Sequence, residues 1–291
     1  MHSQRYQQTI SRRTIVTGFG FWSGLDITVE FRPAPVGHGI AFIRRDLPGL
    51  PVIPANIDHR ADGPRRTTLS RNGTAVDMVE HILAALAGLQ IDNCQVWVDR
   101  SEMPGFDGSS LPFAEALTQV GIVRQTQWRS RLLVDQVYQV GDDSCWIKAE
   151  PNPLGTCDLH YELSYPEEPA IGDQKYSATL GGRGFLSEIA PARTFVTRIE
   201  ADSLRQQGLG RRVNYNDILV FEAAGPINNT LRYPDECARH KLLDMIGDFA
   251  LAGCDLVGKF TAFRSGHKLN AELIRQLTNQ FVLDQSRRKS A

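Results

Sequence analysis

The sequence predicts an α+β fold of two similar halves, each a mostly antiparallel or mixed sheet with helices packed on one face. Three observations carry this expectation. Aligning His81 with His240 also brings Leu83 onto Leu242 and Gly88 onto Gly247, the trace of an internal repeat. Each aligned helix is followed by a short β-like run, Cys94–Val98 in one case and Leu256–Phe260 in the other. A polar stretch from Val123 to Arg131 separates two apolar regions, which places the division near 126/127 and gives domains 1–126 and 127–291.

Each half then has an order of elements. In the first, Ile27–Phe31 and Gly39–Ile43 are rich in β-branched and aromatic residues and read as strands. The helix beginning at Glu80 follows, then the Cys94–Val98 strand and a closing helix over Pro112–Gly121. In the second, Leu132–Val140 and Cys145–Ala149 read as strands, and Leu180–Gly184 is a glycine-rich loop. The helix Asp235–Asp248, the Leu256–Phe260 strand and a closing helix over Asn270–Asn279 complete the repeat. Strands followed by helices in this order imply helices covering one face of each sheet.

The chain has 291 residues, enough for two ordinary cores, with 42% hydrophobic and 22% charged residues. A formal net charge of -1 argues against a general nucleic-acid binder, which carries a basic excess. The paired arginines Arg65-Arg66 and Arg211-Arg212 read as solvated loop charges, or as contacts to a phosphate-bearing ligand. No apolar stretch follows the first residues, so no signal peptide is expected, and the apolar run Ile82–Leu89 is too short to cross a bilayer. Five cysteines, an odd number with no C-x-x-C pair, fit thiols in a reducing compartment, and a cytoplasmic setting is expected.

His240 and Asp244 stand four apart, so on a helix both project from one face and could chelate a divalent cation such as zinc. On its own such a pair more often marks a solvated helix face. His81 offers a third ligand if the two repeat helices meet, and three protein ligands leave the fourth position of a zinc ion open for catalysis. The small residues Ala84, Ala85 and Ala87 beside it would permit that close approach. Glu80 points about 100° away from its neighbour His81, where it can flank the ion as a general base. His267, in Ser265-Gly266-His267-Lys268, falls on a turn between a strand and the closing helix, and Asp248 could hold it and raise its pKa. Thr194 and Phe195 add a hydroxyl donor beside an aromatic ring. Gly18, Gly20 and Gly24 approach a dinucleotide-binding fingerprint, but the spacing is one residue too long and no helix pattern follows.

Five runs occur in order: Val79-Glu80-His81 through Asn93, Pro104-Gly105-Phe106-Asp107-Gly108-Ser109, Ala192-Arg193-Thr194-Phe195, Arg239 through Asp248, and Ser265 through Asn270. Together they closely resemble the UDP-3-O-acyl-N-acetylglucosamine deacetylases of lipid A biosynthesis, from Thr17 to about Leu277. The resemblance implies two duplicated domains with their helices sandwiched between the two sheets. It implies zinc, with iron(II) as the alternative ion, held by His81, His240 and Asp244, and Glu80 as general base. His267 would be the charged acid or oxyanion partner backed by Asp248, Thr194 would contact the oxyanion, and Lys241 and Phe195 would contact an acylated UDP-sugar. A monomer is expected. Two segments depart from the family pattern. Phe21-Trp22-Ser23-Gly24 stands where Leu-His-Ser-Gly is usual, and Gly208–Tyr215 replaces a Gly-Gly-Ser stretch. Other readings are a zinc amidohydrolase for a different N-acyl sugar and a non-catalytic relative that binds a nucleotide-sugar.

Overall fold

The structure, a computed structural model, describes residues 4–182 and 184–290. The first half runs β1 (Tyr6–Ile10), β2 (Thr14–Phe19), β3 (Asp26–Pro33), β4 (Ile40–Arg44), β5 (Val52–Pro54), β6 (Arg60–Ala61), β7 (Thr68–Arg71), β8 (Thr74–Asp77), α1 (Glu80–Gly88), β9 (Cys94–Val98), α2 (Leu111–Gln119) and β10 (Ile122–Trp128). The second runs β11 (Arg131–Leu133), β12 (Tyr138–Asp142), β13 (Cys145–Glu150), β14 (Cys157–Tyr165), β15 (Gly172–Thr179), β16 (Phe195–Thr197), α3 (Arg198–Gln206), β17 (Leu219–Glu222), β18 (Gly225–Pro226), α4 (Glu236–Phe249), β19 (Asp255–Phe263) and α5 (His267–Ser290).

The two main sheets repeat one topology. The first has the order β2-β3-β9-β4-β5 and the second β12-β13-β19-β14-β15. In each, the strand after the main helix lies centrally, parallel to one neighbour (β4 or β14) and antiparallel to the other (β3 or β13). Alternation explains which face is covered: along β14, Cys157, Leu159, Tyr161 and Leu163 are buried and the residues between them are not. Four of the helices fill the space between the sheets, α2 against β2, α4 against β14 and β15, and α5 against β12 and β13, while α1 packs on α4. Nearly all of α1 and α4 is therefore buried, polar residues included.

Each half also carries an insertion at the same place, between its last sheet strand and its main helix. The first is the β6-β7-β8 sheet and the second is β16-α3-β17-β18. α3 begins at a capping box, with Thr197 and Glu200 exchanging hydrogen bonds across the first turn.

Some expected elements differ. Leu132–Val140 is not one strand. Leu132 lies in β11, parallel to β19, and the chain leaves the sheet before re-entering as β12. The polar stretch at Val123–Arg131 is largely β10, which pairs with β1. Exposed along most of its length, with no residue fully buried, it lacks the apolar run that marks a strand in sequence. The second closing helix starts earlier than expected, at His267. Of the Leu180–Gly184 loop, Arg183 lies outside the described residues. Gly18 lies inside β2, and the turn after it leads into β3 rather than a helix, which removes the dinucleotide reading.

Candidate active site

The site forms where α1 and α4 cross. Met78, with φ of 58°, makes the sharp turn from β8 into α1, so that Glu80 and His81 open the helix. On α4, Gly247 lets the two backbones touch: a Cβ there would lie 2.1 Å from the Glu80 carbonyl oxygen. The repeat partner Gly88 is small for another reason, since its Cβ would meet the Phe185 ring at 2.4 Å.

The crossing brings His81, His240 and Asp244 together, one ligand atom from each lying within 4.8 Å of the others. Asp244 Oδ1 is 3.4 Å from His240 Nε2 and 3.6 Å from His81 Nε2. These gaps are too long for hydrogen bonds. They are close to the spacing of about 3.3–3.4 Å that tetrahedral bonds of about 2.0–2.1 Å impose on ligand atoms. The rings meet edge-on, 5.0 Å apart at 88°. His240 Nδ1 faces the Ala192 carbonyl at 3.0 Å and so carries a proton there, leaving the Nε2 lone pair toward Asp244. Burial, with the neighbouring His81 and Lys241, lowers the His240 pKa to about 3, so the ring is neutral and able to act as a ligand. Burial opposes charge on Asp244, yet the Lys241 ammonium at 2.7 Å and the nearby histidines hold it well below the usual carboxylate range. Two imidazoles and a carboxylate form a donor set suited to a borderline divalent cation, with room for a fourth ligand.

Glu80 is buried, and that burial raises its pKa; its Oε2 accepts the Thr67 N–H at 2.9 Å. His267 opens α5, with Nδ1 donating to Asp248 Oδ2 at 2.9 Å. Burial works against charge on His267, but Asp248, with Asp244 and Glu80, outweighs it and raises the pKa to about 9. Asp248 also accepts from Asn270 Nδ2 at 2.8 Å and Thr67 Oγ1 at 2.5 Å. Thr194 is tied by its N–H to Gly108 O and by its carbonyl to Leu219 N. Phe195 is mostly buried, edge-on to Tyr165, Phe221 and His240, with the Lys241 ammonium 5.9 Å from its ring centroid.

Glu80, His81, Thr194, Phe195, His240, Lys241, Asp244 and His267 all line one cavity of about 880 Å³; Asp248 stands behind it. Val196, Leu204, Leu209, Val213 and Val220, from the second insertion, add apolar lining to the same cavity.

A family model described as UDP-3-O-acyl N-acetylglycosamine deacetylase matches residues 7–279. The chain belongs to this family. A UDP-3-O-acyl-N-acetylglucosamine deacetylase of Myxococcus xanthus is 37% identical over 274 residues, covering 93% of this chain and 86% of that protein. A protein of the same name from Thermosynechococcus vestitus is 37% identical over 276 residues, covering 95% of both.

In this member of the deacetylase family the Phe21–Gly24 and Gly208–Tyr215 segments touch. Arg212 donates to Gly24 O at 2.8 Å and to Asp26 at 2.7 Å, and its guanidinium lies 4.5 Å from the Phe19 ring centroid. Arg66 stacks 4.8 Å over Trp22, and Arg65 pairs with Glu200 at 3.0 Å. Arg65, Arg66 and Arg212 are therefore engaged within the protein rather than simply solvated.

Sequence reasoning missed several supporting residues. Thr67 carries no motif signal, because a threonine after two arginines has no distinctive spacing. The Ala192 carbonyl is invisible in sequence. So is the buried Arg193–Glu236 pair, 2.7 Å apart, which fixes the segment carrying that carbonyl and Thr194. Asn270 stood within a recognised run but had no assigned task.

Proposed function

We propose that the chain is a zinc-dependent hydrolase that removes the N-acetyl group from UDP-3-O-acyl-N-acetylglucosamine in lipid A biosynthesis, releasing acetate. The observation that carries this reading is the convergence, in a member of this family, of His81, His240, Asp244, Glu80 and His267 on one cavity. The named relatives are UDP-3-O-acyl-N-acetylglucosamine deacetylases. The apolar side chains that the second insertion adds to the cavity suit an acyl chain.

His81, His240 and Asp244 would hold zinc, or iron(II) in its place; when bound, the cation supplies Lewis acidity to the amide carbonyl and lowers the pKa of the attacking water. Glu80 takes the proton that water loses as it attacks, and its raised pKa suits a base that must later release it. Thr194 and the charged His267 face the oxyanion that develops on the acetyl carbonyl. His267 is also the charged group from which the leaving nitrogen can take its proton. Lys241 and Phe195 contact the substrate, with Lys241 also holding Asp244.

No helix among the described residues is long and apolar enough to cross a membrane. The reading places the enzyme in the cytoplasm as a monomer, with its cysteines free, and divides the chain into domains 1–126 and 127–291, each with its own main sheet, the division falling within β10.

Metal analysis coupled to an acetate-release assay on several N-acetyl sugars tests this. About one zinc per chain is expected, with turnover confined to the acylated UDP-sugar. Turnover of another N-acyl sugar instead would reassign the substrate, and metal-loaded protein that releases no acetate from any of them would leave a binding protein.

A further inference from the structure

Thr67 is fully buried in the loop before β7 and meets three of the groups placed in the reaction. Its backbone N–H donates to Glu80 Oε2 at 2.9 Å. Its hydroxyl donates to Asp248 Oδ1 at 2.5 Å, and the same oxygen lies 3.2 Å from His267 Nδ1. Glu80 comes from the first half of the chain and Asp248 and His267 from the second, so the proposed base and acid are brought into fixed relation through this residue.

The hydroxyl has a specific task in that arrangement. Asp248 Oδ2 takes hydrogen bonds from His267 Nδ1 and Asn270 Nδ2, at 2.9 and 2.8 Å. Those two bonds hold one oxygen and leave the carboxylate free to swing about it. The Thr67 hydroxyl holds the other oxygen, which sets the carboxylate plane and thereby the direction of the imidazole. Since the hydroxyl proton goes to Asp248, the oxygen presents only lone pairs to His267, and Nδ1 must be the protonated nitrogen on that side. Nε2 is then the atom that faces the reaction.

We propose that Thr67 is a positioning residue that locks the Asp248–His267 pair against Glu80, so that acid and base act as one hydrogen-bonded unit. The inference rests on the deacetylase reading above. Thr67→Val keeps the shape and the backbone N–H and removes only the hydroxyl, and Thr67→Ser restores it.

The test is steady-state acetate release by the metal-loaded full chain, with metal content and unfolding midpoint measured on each variant. Thr67→Val is expected to lower kcat about 10- to 100-fold, the scale of a lost supporting contact, with KM and metal content within about twofold. Thr67→Ser should return kcat to within about threefold of the unaltered protein. In an Asp248→Asn background, Thr67→Val should cost less than about threefold, because its effect runs through Asp248. A Thr67→Val variant with unreduced kcat, a Thr67→Ser variant as poor as the valine one, or a loss that tracks metal content or unfolding overturns the proposal. So does a full second loss in the Asp248→Asn background. Absence of acetate release from the unaltered protein defeats the deacetylase reading itself, whereas normal release with an indifferent Thr67→Val defeats only this inference.

Discussion

A free histidine is mostly neutral at pH 8, whereas His267 keeps its charge there because Asp248 accepts its Nδ1 proton and the carboxylates of Asp244 and Glu80 lie near. Burial pulls the other way and loses. The sign of the consequence follows from the direction of the shift. With a pKa raised from 6.5 to about 9, the imidazolium is present below about pH 9 and is lost as the pH rises through that value. The fold gains from the same pairing in full below about pH 6.5, and that gain disappears as the pH passes about 9. The kcat/KM profile for acetate release should therefore show a basic limb near pH 9. Asp248→Asn removes the nearest negative charge and should move that limb toward lower pH. A limb that stays in place in the variant would mean that another group titrates there.

At the scale of elements, the crossing of α1 and α4 decides whether the ligand set exists at all. Alanine ordinarily gains about 1 kcal/mol over glycine inside a helix. At Gly247 that gain is overwhelmed, because the new Cβ would lie 2.1 Å from the Glu80 carbonyl, which is backbone and cannot rotate away. Gly247→Ala should cost about 1–3 kcal/mol in urea unfolding, in the range of overpacked cores. It should also weaken metal binding, since His81 is displaced from His240 and Asp244. An unchanged unfolding midpoint with unchanged metal affinity would show that the helices can slide apart freely. The glycine pair Gly88/Gly247 was legible in sequence as part of the repeat, and so were the main helices, β9 and β19, because apolar periodicity and matched spacing mark them. The two meanings of the pair were not legible, since one glycine meets a backbone and the other a phenylalanine ring. In sequence, β10 shows only as the polar stretch that marks the domain division, because its pairing with β1 at the surface needs no apolar signature. The ligand and acid–base candidates share helix spacing or recognisable runs and could be named from the chain. Thr67 and the Ala192 carbonyl enter only through tertiary contacts.

At the scale of the molecule, the repeated topology puts the candidate ligands on both halves, His81 on α1 and His240 with Asp244 on α4. A cation bound there joins elements that the chain otherwise holds through packing between the helices and through polar contacts such as Thr67 to Asp248 and Arg212 to Asp26. An unfolded chain has no such site, so binding stabilises the folded state by mass action, about 4 kcal/mol when free metal exceeds the dissociation constant a thousandfold. For a protein of this size about 1 kcal/mol corresponds to roughly 2 °C, so chelation should lower the unfolding temperature by about 6–8 °C. The protein should not collapse on metal removal, because Asp244 keeps its ion pair with Lys241 at 2.7 Å and His240 its bond to Ala192. Restoring zinc should restore the midpoint. His240→Ala removes one of the ligands and should abolish the zinc-dependent part of the shift while leaving the fold in place, as read by the far-ultraviolet circular dichroism spectrum. A chelated protein shown by metal analysis to be zinc-free, yet melting at the same temperature as the loaded one, would mean that the cation does not bridge the two halves.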